Sequence, residues 1–278
     1  MAFMTSPEPS RSGGQNTSGE PELLKDRRGA TLILTLNRPA RLNAYTVSLL
    51  QDLHQALLAA ASSDDIRCIV LTGAGRAFCA GGDMEVLRTA AHDRALLNRL
   101  STLAHGISLE IEAMEKPVIA AVNGVAAGAG IDLALACDLR VAAAGAEFVW
   151  TFPSIGLVPD MGGTARLPGL IGLARAKEMV MLARSVGADN AERIGLVNQT
   201  VDQGNAVNAA LDWAERMNSL APLALGAAKS LLNLAGAADM TGALRRERFA
   251  AAALAASNDF SEGITAFLEK RTPAFKGC

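Results

Sequence analysis

Two glycine-rich turns, each after an apolar strand pattern and each with a carboxylate close by, are where this chain could do chemistry. The first runs Gly73-Ala-Gly-Arg-Ala-Phe-Cys-Ala-Gly-Gly-Asp83 and the second Asn123-Gly-Val-Ala-Ala-Gly-Ala-Gly-Ile-Asp132. Glycine allows a sharp turn and a close backbone approach to a ligand. The first peptide N–H groups of a helix lack intrahelical acceptors and lie at the positive end of its dipole. The pair of turns could therefore offer one N–H each, from Ala80 and near Ala129, to an oxygen on which negative charge develops. A third segment, Ile155-Gly-Leu-Val-Pro-Asp-Met-Gly-Gly-Thr164, brackets Asp160 between a proline and a glycine pair. Asp160 reads either as a helix cap or as a proton carrier whose pKa is lifted by Phe152, Leu157, Val158 and Met161.

Other chemistries find little support. No G-x-G-x-x-G with a downstream acid, no P-loop and no Gly-x-Ser-x-Gly is present. The four cysteines (Cys68, Cys79, Cys137, Cys278) have no metal-ligand spacing. Cys68 and Cys137 read as small core residues in a reducing, cytoplasmic compartment. His54, His92 and His105 stand near no nucleophile motif. With net charge −2, the chain gives no electrostatic reason to expect nucleic acid or an anionic membrane. No membrane span or signal peptide is read from the sequence.

The elements that must hold these turns follow from hydrophobic periodicity. Thr31–Leu36, Cys68–Thr72, Val118–Val122 and about Leu139–Ala142 read as strands. Helices are expected over Thr46–Ala61 with Thr46 as cap, over about Asp93–Glu115, and from about Gly128. This alternation marks an α/β architecture. From Leu173 the pattern is almost wholly helical, with one short strand candidate, Val197–Val201. Residues 1–20, rich in Ser, Gly and Pro, read as a disordered tail. An α/β core over 21–200 and a helical region over 201–278, serving oligomerisation or capping of the site, complete the expected organisation.

Taken in order, Leu36-Asn-Arg-Pro39 with Asn43-Ala44, Ala77 to Asp83, Lys116 to Asp138, Gly156 to Thr164 and the closing Phe267 to Phe275 resemble the crotonase superfamily, the enoyl-CoA hydratase/isomerase family. The resemblance covers nearly everything but the tail. It implies a spiral of β-β-α turns with a helical C-terminal region, assembled as a homotrimer or dimer of trimers. It implies an acyl-CoA thioester substrate, as in fatty acid metabolism, whose enolate is held by the Ala80 and Ala129 N–H groups. Asp132 and Asp160 would be the catalytic acids. Gly81, Gly82, Asp83 and Phe152 would contact substrate, and Arg38, Arg41, Lys270 and Lys276 would be candidates for the CoA phosphates. No metal or separate cofactor is expected, coenzyme A being part of the substrate.

The departures from the hydratase pattern carry a further expectation. Of the two glutamates that work on water in hydratases, the first falls on Asp132, shorter by one methylene, and the second on Phe152. Asp160 matches a position where several isomerases of the family carry an acid. Double-bond isomerisation is therefore expected ahead of hydration of a 2-enoyl-CoA. Hydrolysis, C–C cleavage and non-catalytic acyl-CoA binding are the remaining alternatives.

Overall fold

The computed structural model describes residues 19–235 and 239–278, so the segment read as a tail lies almost wholly outside them. The strands are β1 (Leu23–Arg28), β2 (Thr31–Leu36), β3 (Cys68–Gly73), β4 (Ala77–Cys79), β5 (Val118–Val122), β6 (Val125–Ala127), β7 (Leu139–Ala143), β8 (Glu147–Val149), β9 (Ser185–Gly187) and β10 (Gln199–Val201). The helices of the first half are α1 (Val47–Ala61), α2 (Met84–Ala90), α3 (Arg94–Ala113), α4 (Ala129–Ala136) and α5 (Gly163–Ile171). Those of the second half are α6 (Leu173–Met181), α7 (Ala188–Arg193), α8 (Ala206–Asn218), α9 (Pro222–Asn233), α10 (Met240–Ala255) and α11 (Asn258–Glu269).

Six strands form one sheet in the order β1-β2-β3-β5-β7-β10, and four short ones form a second in the order β4-β6-β8-β9. The chain spirals between them. β3, β5 and β7 each enter the large sheet, and the strand that follows each, β4, β6 or β8, enters the small one. The large sheet is parallel except for β1, which pairs antiparallel with β2 at its edge.

The central strands are apolar throughout because both of their faces are covered, as parallel sheets require. Alternate residues Cys68, Val70, Ile119, Ala121, Val141 and Ala143 face Ala206, Ala210 and Ala214 of α8. Their neighbours Ile69, Leu71, Val118, Ala120 and Val122 face the larger core with α1, α3 and α4. The first helix after residue 200 thus covers the sheet, on the side away from the glycine-rich turns. α10 differs: none of its residues is buried.

The small sheet is what brings the two turns together. β4 and β6 are parallel neighbours, with Ala77 opposite Val125 and Cys79 opposite Ala126. The segments leaving their C-terminal ends, from Ala80 and from Gly128, therefore emerge side by side.

Candidate active site

A cavity of about 310 Å³ opens where these two segments emerge. Its floor includes Ala80, Gly82, Ala127, Gly128 and Ala129. Leu87 of α2, with Leu100 and Ala104 of α3, forms one wall, and Phe152, Ile155 and Leu157 another. Asp160 stands at the rim. Among the described residues the cavity lining contains none beyond Asp160, so within one chain the described C-terminal helices do not line it.

The donor in the first turn is not the one expected. The Ala80 N–H donates to the Leu42 carbonyl at 2.9 Å and is spent inside the protein. Residues 42–45 run alongside this loop: the Tyr45 N–H donates to Gly81 O at 2.7 Å and the Asp83 N–H to Tyr45 O at 3.0 Å. The Gly81 N–H reaches Cys79 Sγ at 3.3 Å. Among the described residues, the Gly82 N–H is the one in this stretch left without an acceptor, and Gly82 lines the cavity. Buried backbone donors are nearly always paired, so an unengaged one on a cavity wall is available to a ligand. The assignment of Ala80 is therefore corrected to Gly82.

Ala129 opens α4, and its N–H likewise has no acceptor among the described residues. Gly81 shows how closely the two loops meet. It takes φ 87°, and a Cβ there would lie 2.9 Å from Ala127 O and 3.1 Å from Ala129 N. Only glycine fits both the conformation and the approach.

The carboxylates differ sharply in their settings. Asp160 lines the cavity, and its side chain caps no helix, since α5 begins after Gly162 without a side-chain cap. Desolvation raises its pKa, and the nearby His105 works against that rise. Asp132 is fully buried and absent from the cavity wall. Its Oδ2 accepts the Met161 N–H at 3.3 Å, and its Oδ1 has no hydrogen-bond partner. Trp150 Nε1, also buried, completes no bond either, although the indole N–H is close enough to favour the Asp132 carboxylate. Burial pushes Asp132 up to about 6, the Met161 N–H opposes this, and the Asp160 charge adds to it. Shortened by one methylene, this carboxylate is held by the Met161 N–H and lies off the cavity lining.

Asp83 lines the cavity but is structurally committed. It caps α2 through the Glu85 N–H at 3.0 Å and pairs with Arg38 at 3.0 Å. Burial works to raise its pKa, yet Arg38 and the α2 N–H groups outweigh burial and hold the carboxyl below its usual range. Arg38 is committed as well, by Asp83, by Glu22 at 2.9 Å and by the Ala44 carbonyl. It is half-buried and compensated, which argues against it as a phosphate ligand; Arg41, Lys270 and Lys276 remain exposed.

Phe152 is buried and lines the cavity, as its sequence position implied. Tyr45 on the floor and the α3 residues Leu100 and Ala104 had not been assigned to the site. Their spacing marks them only as apolar helix or loop positions. The Arg166 side chain steadies the Asp160 loop from outside, donating to Met161 O and Ser108 Oγ at 2.9 Å each and pairing with Glu112. Among the described residues no cluster of His, Cys, Asp or Glu could hold a metal ion.

The sequence was compared with known proteins. The family model described as "Enoyl-CoA hydratase/isomerase" matches residues 26–278. The chain is 40% identical over 256 residues to the 2,3-dehydroadipyl-CoA hydratase of Escherichia coli, covering 92% of this chain and 99% of that one. It is 38% identical over 255 residues to the 1,2-epoxyphenylacetyl-CoA isomerase of the same organism, covering 88% and 95%. Its structure superposes on the crystal structure of an enoyl-CoA hydratase from Bacillus anthracis with TM-score 0.88 and 34% identity, covering 92% of this chain and 100% of that one. The names of these relatives include both hydratase and isomerase. With two loops of unengaged N–H donors flanking one acid-rimmed apolar cavity, the chain belongs to the enoyl-CoA hydratase/isomerase family, has its crotonase fold, and is an enzyme of that type.

Proposed function

We propose that this enzyme moves a double bond along an enoyl-CoA thioester, using Asp160 as its proton carrier and the Gly82 and Ala129 N–H groups as the oxyanion hole. The observation that carries this reading is the inventory of acids on the cavity wall. Among the described residues Asp160 is the one carboxylate of the lining that is in no salt bridge: Phe152 cannot transfer a proton, Asp132 is buried off the lining, and Asp83 is held by Arg38.

The chemistry follows from that inventory. The thioester oxygen accepts the two N–H groups, and Asp160 removes a proton from a carbon conjugated to the carbonyl or to the double bond. The C–H electron pair shifts into the chain, negative charge grows on the oxygen, and Asp160 becomes a carboxylic acid. Returning the proton to the carbon at the other end of the allylic system regenerates the carboxylate with the double bond displaced. One such N–H donor typically lowers the barrier by ~3–4 kcal/mol. The raised pKa of Asp160 brings it nearer the range suited to proton exchange at neutral pH.

Hydration of a 2-enoyl-CoA is the second reading, favoured by the exposure of Asp160, which admits water to the same acid. The relative named 2,3-dehydroadipyl-CoA hydratase is consistent with it. Chromatography of the products formed from 2-enoyl- and 3-enoyl-CoA thioesters separates the two. Interconversion of the enoyl isomers, with 3-hydroxyacyl-CoA slower by at least tenfold, supports isomerisation; the opposite ordering rejects it.

The exposed apolar side chains of α10 and α11 support self-association. Phe249 is 69% and Phe267 83% exposed, and Met240, Leu244 and Leu268 are exposed as well. Burying such surface is the usual reason to assemble, and a homotrimer or dimer of trimers is the form proposed. Exposed Arg41, Lys270 and Lys276 are the remaining basic candidates for the CoA phosphates. Among the described residues no helix is long and apolar enough to cross a membrane.

A further inference from the structure

The charge pattern of the cavity bears on which acyl groups it takes. Among the described residues its lining contains no Lys, Arg or His. The walls include Leu50, Leu87, Leu100, Ala104, Phe152 and Leu157, and of the two carboxylates in the lining Asp83 is ion-paired with Arg38 while Asp160 is not in a salt bridge among the described residues. The nearby guanidinium groups are already used: Arg38 by Glu22 and Asp83, and Arg166 by Glu112, Ser108 and the Met161 carbonyl. His105 stands on the other side of Asp160, along a separate groove that it shares with Glu112 and Arg166.

We propose that the cavity selects acyl chains with an uncharged far end, aliphatic or aromatic, and rejects those ending in a carboxylate. An anionic chain end would lose its hydration against apolar walls with no cation to replace water. It would also approach the Asp160 carboxylate at the cavity rim, and like charges brought into one site repel one another. Like-charge juxtaposition in desolvated contacts costs enough to dominate discrimination between otherwise similar ligands. The proposal rests on this cavity being the acyl site.

The test compares 3-hexenoyl-CoA with the thioester in which its terminal methyl is replaced by a carboxylate, and with the corresponding primary amide. At pH 7.5 the neutral chain is expected to exceed the carboxylate by ~100-fold or more in kcat/KM, with the amide between them. The amide separates charge from size. A carboxylate within tenfold of the methyl compound overturns the proposal, as does an amide as poor as the carboxylate. A second arm is independent of the reaction: calorimetric titration with hexanoyl-CoA and with its ω-carboxy counterpart. If no double bond moves but hexanoyl-CoA binds at least ~30-fold more tightly, the isomerase reading fails while the charge selection stands. Equal affinities overturn the charge selection whatever the reaction proves to be.

Discussion

The Asp132 carboxylate packs against the bare Cα of Gly163, so closely that a Cβ at position 163 would overlap its Oδ1. The start of α5 is thereby locked to α4, and the Asp160 loop is held between them by the Met161 N–H on Oδ2. Gly163→Ala should therefore force a shift in a fully packed site. The expected cost is about 1–3 kcal/mol of stability. Thermal unfolding of the variant against wild type checks this, and an unchanged midpoint would mean that the contact is slack.

The buried Asp132 also links stability to pH. Its carboxyl is pushed from 3.8 when free to about 6 in the folded chain. Between those values the native state keeps a proton that the unfolded state has released, so stability falls as pH rises through the window. The stabilisation is fully present below about pH 4 and lost above about pH 6, and amounts to about 3 kcal/mol. Asp132→Asn should flatten this segment of the stability profile. Denaturant unfolding at pH steps from 4 to 7 would show whether the slope disappears.

Phe152 lines the cavity at the position where the resemblance to hydratases implies a second acid working on water. Phe152→Glu adds that acid to the wall of the same cavity, opposite the oxyanion donors. The ratio of 3-hydroxyacyl-CoA formed to double bond moved is expected to rise about tenfold, less than the ~100-fold or more that a fully positioned acid or base brings, because the new side chain lacks partners that orient it. Product chromatography reads the ratio directly. No change would place the water chemistry, if any, elsewhere.

Removal of apolar surface from the last helices should disrupt assembly. Phe249→Glu with Phe267→Glu places charge on α10 and α11 at exposed positions, so neither substitution buries a charge within the chain. Light scattering after size exclusion is expected to show an oligomer for wild type and a smaller species for the variant. A monomeric wild type at micromolar concentration would refute the proposed assembly.

Much of this was legible in the sequence, for reasons that differ by element. β2 and β5 were bounded correctly because the first is a β-branched and aliphatic run and the second an unbroken apolar one, ended by Asn37-Arg38-Pro39 and Asn123-Gly124. Thr46 was read as a cap and does accept the Leu49 N–H. The three-residue strands β4, β6, β8 and β9 were not legible, since three residues carry no period. β1 was also missed: one of its six residues is buried and the rest are exposed, giving no alternation. The two turns were recognisable as donors, but the particular N–H of the first was not. Which amide faces the cavity is decided by the hydrogen bonds of residues 42–45 with the loop, and those are long-range in sequence. Likewise, Asp132 and Asp160 looked equivalent as carboxylates until burial separated them.

The central claim is that Asp160, not Asp132, carries the proton. It is tested most directly by comparing kcat for double-bond movement in Asp160→Asn and Asp132→Asn, with hexanoyl-CoA affinity measured for both. Asp160→Asn is predicted to lose ~100- to 10,000-fold in kcat with affinity retained, while Asp132→Asn stays within about tenfold of wild type, its effect indirect. If Asp132→Asn instead abolishes turnover while Asp160→Asn remains active, the buried carboxylate is the working acid and the account is contradicted.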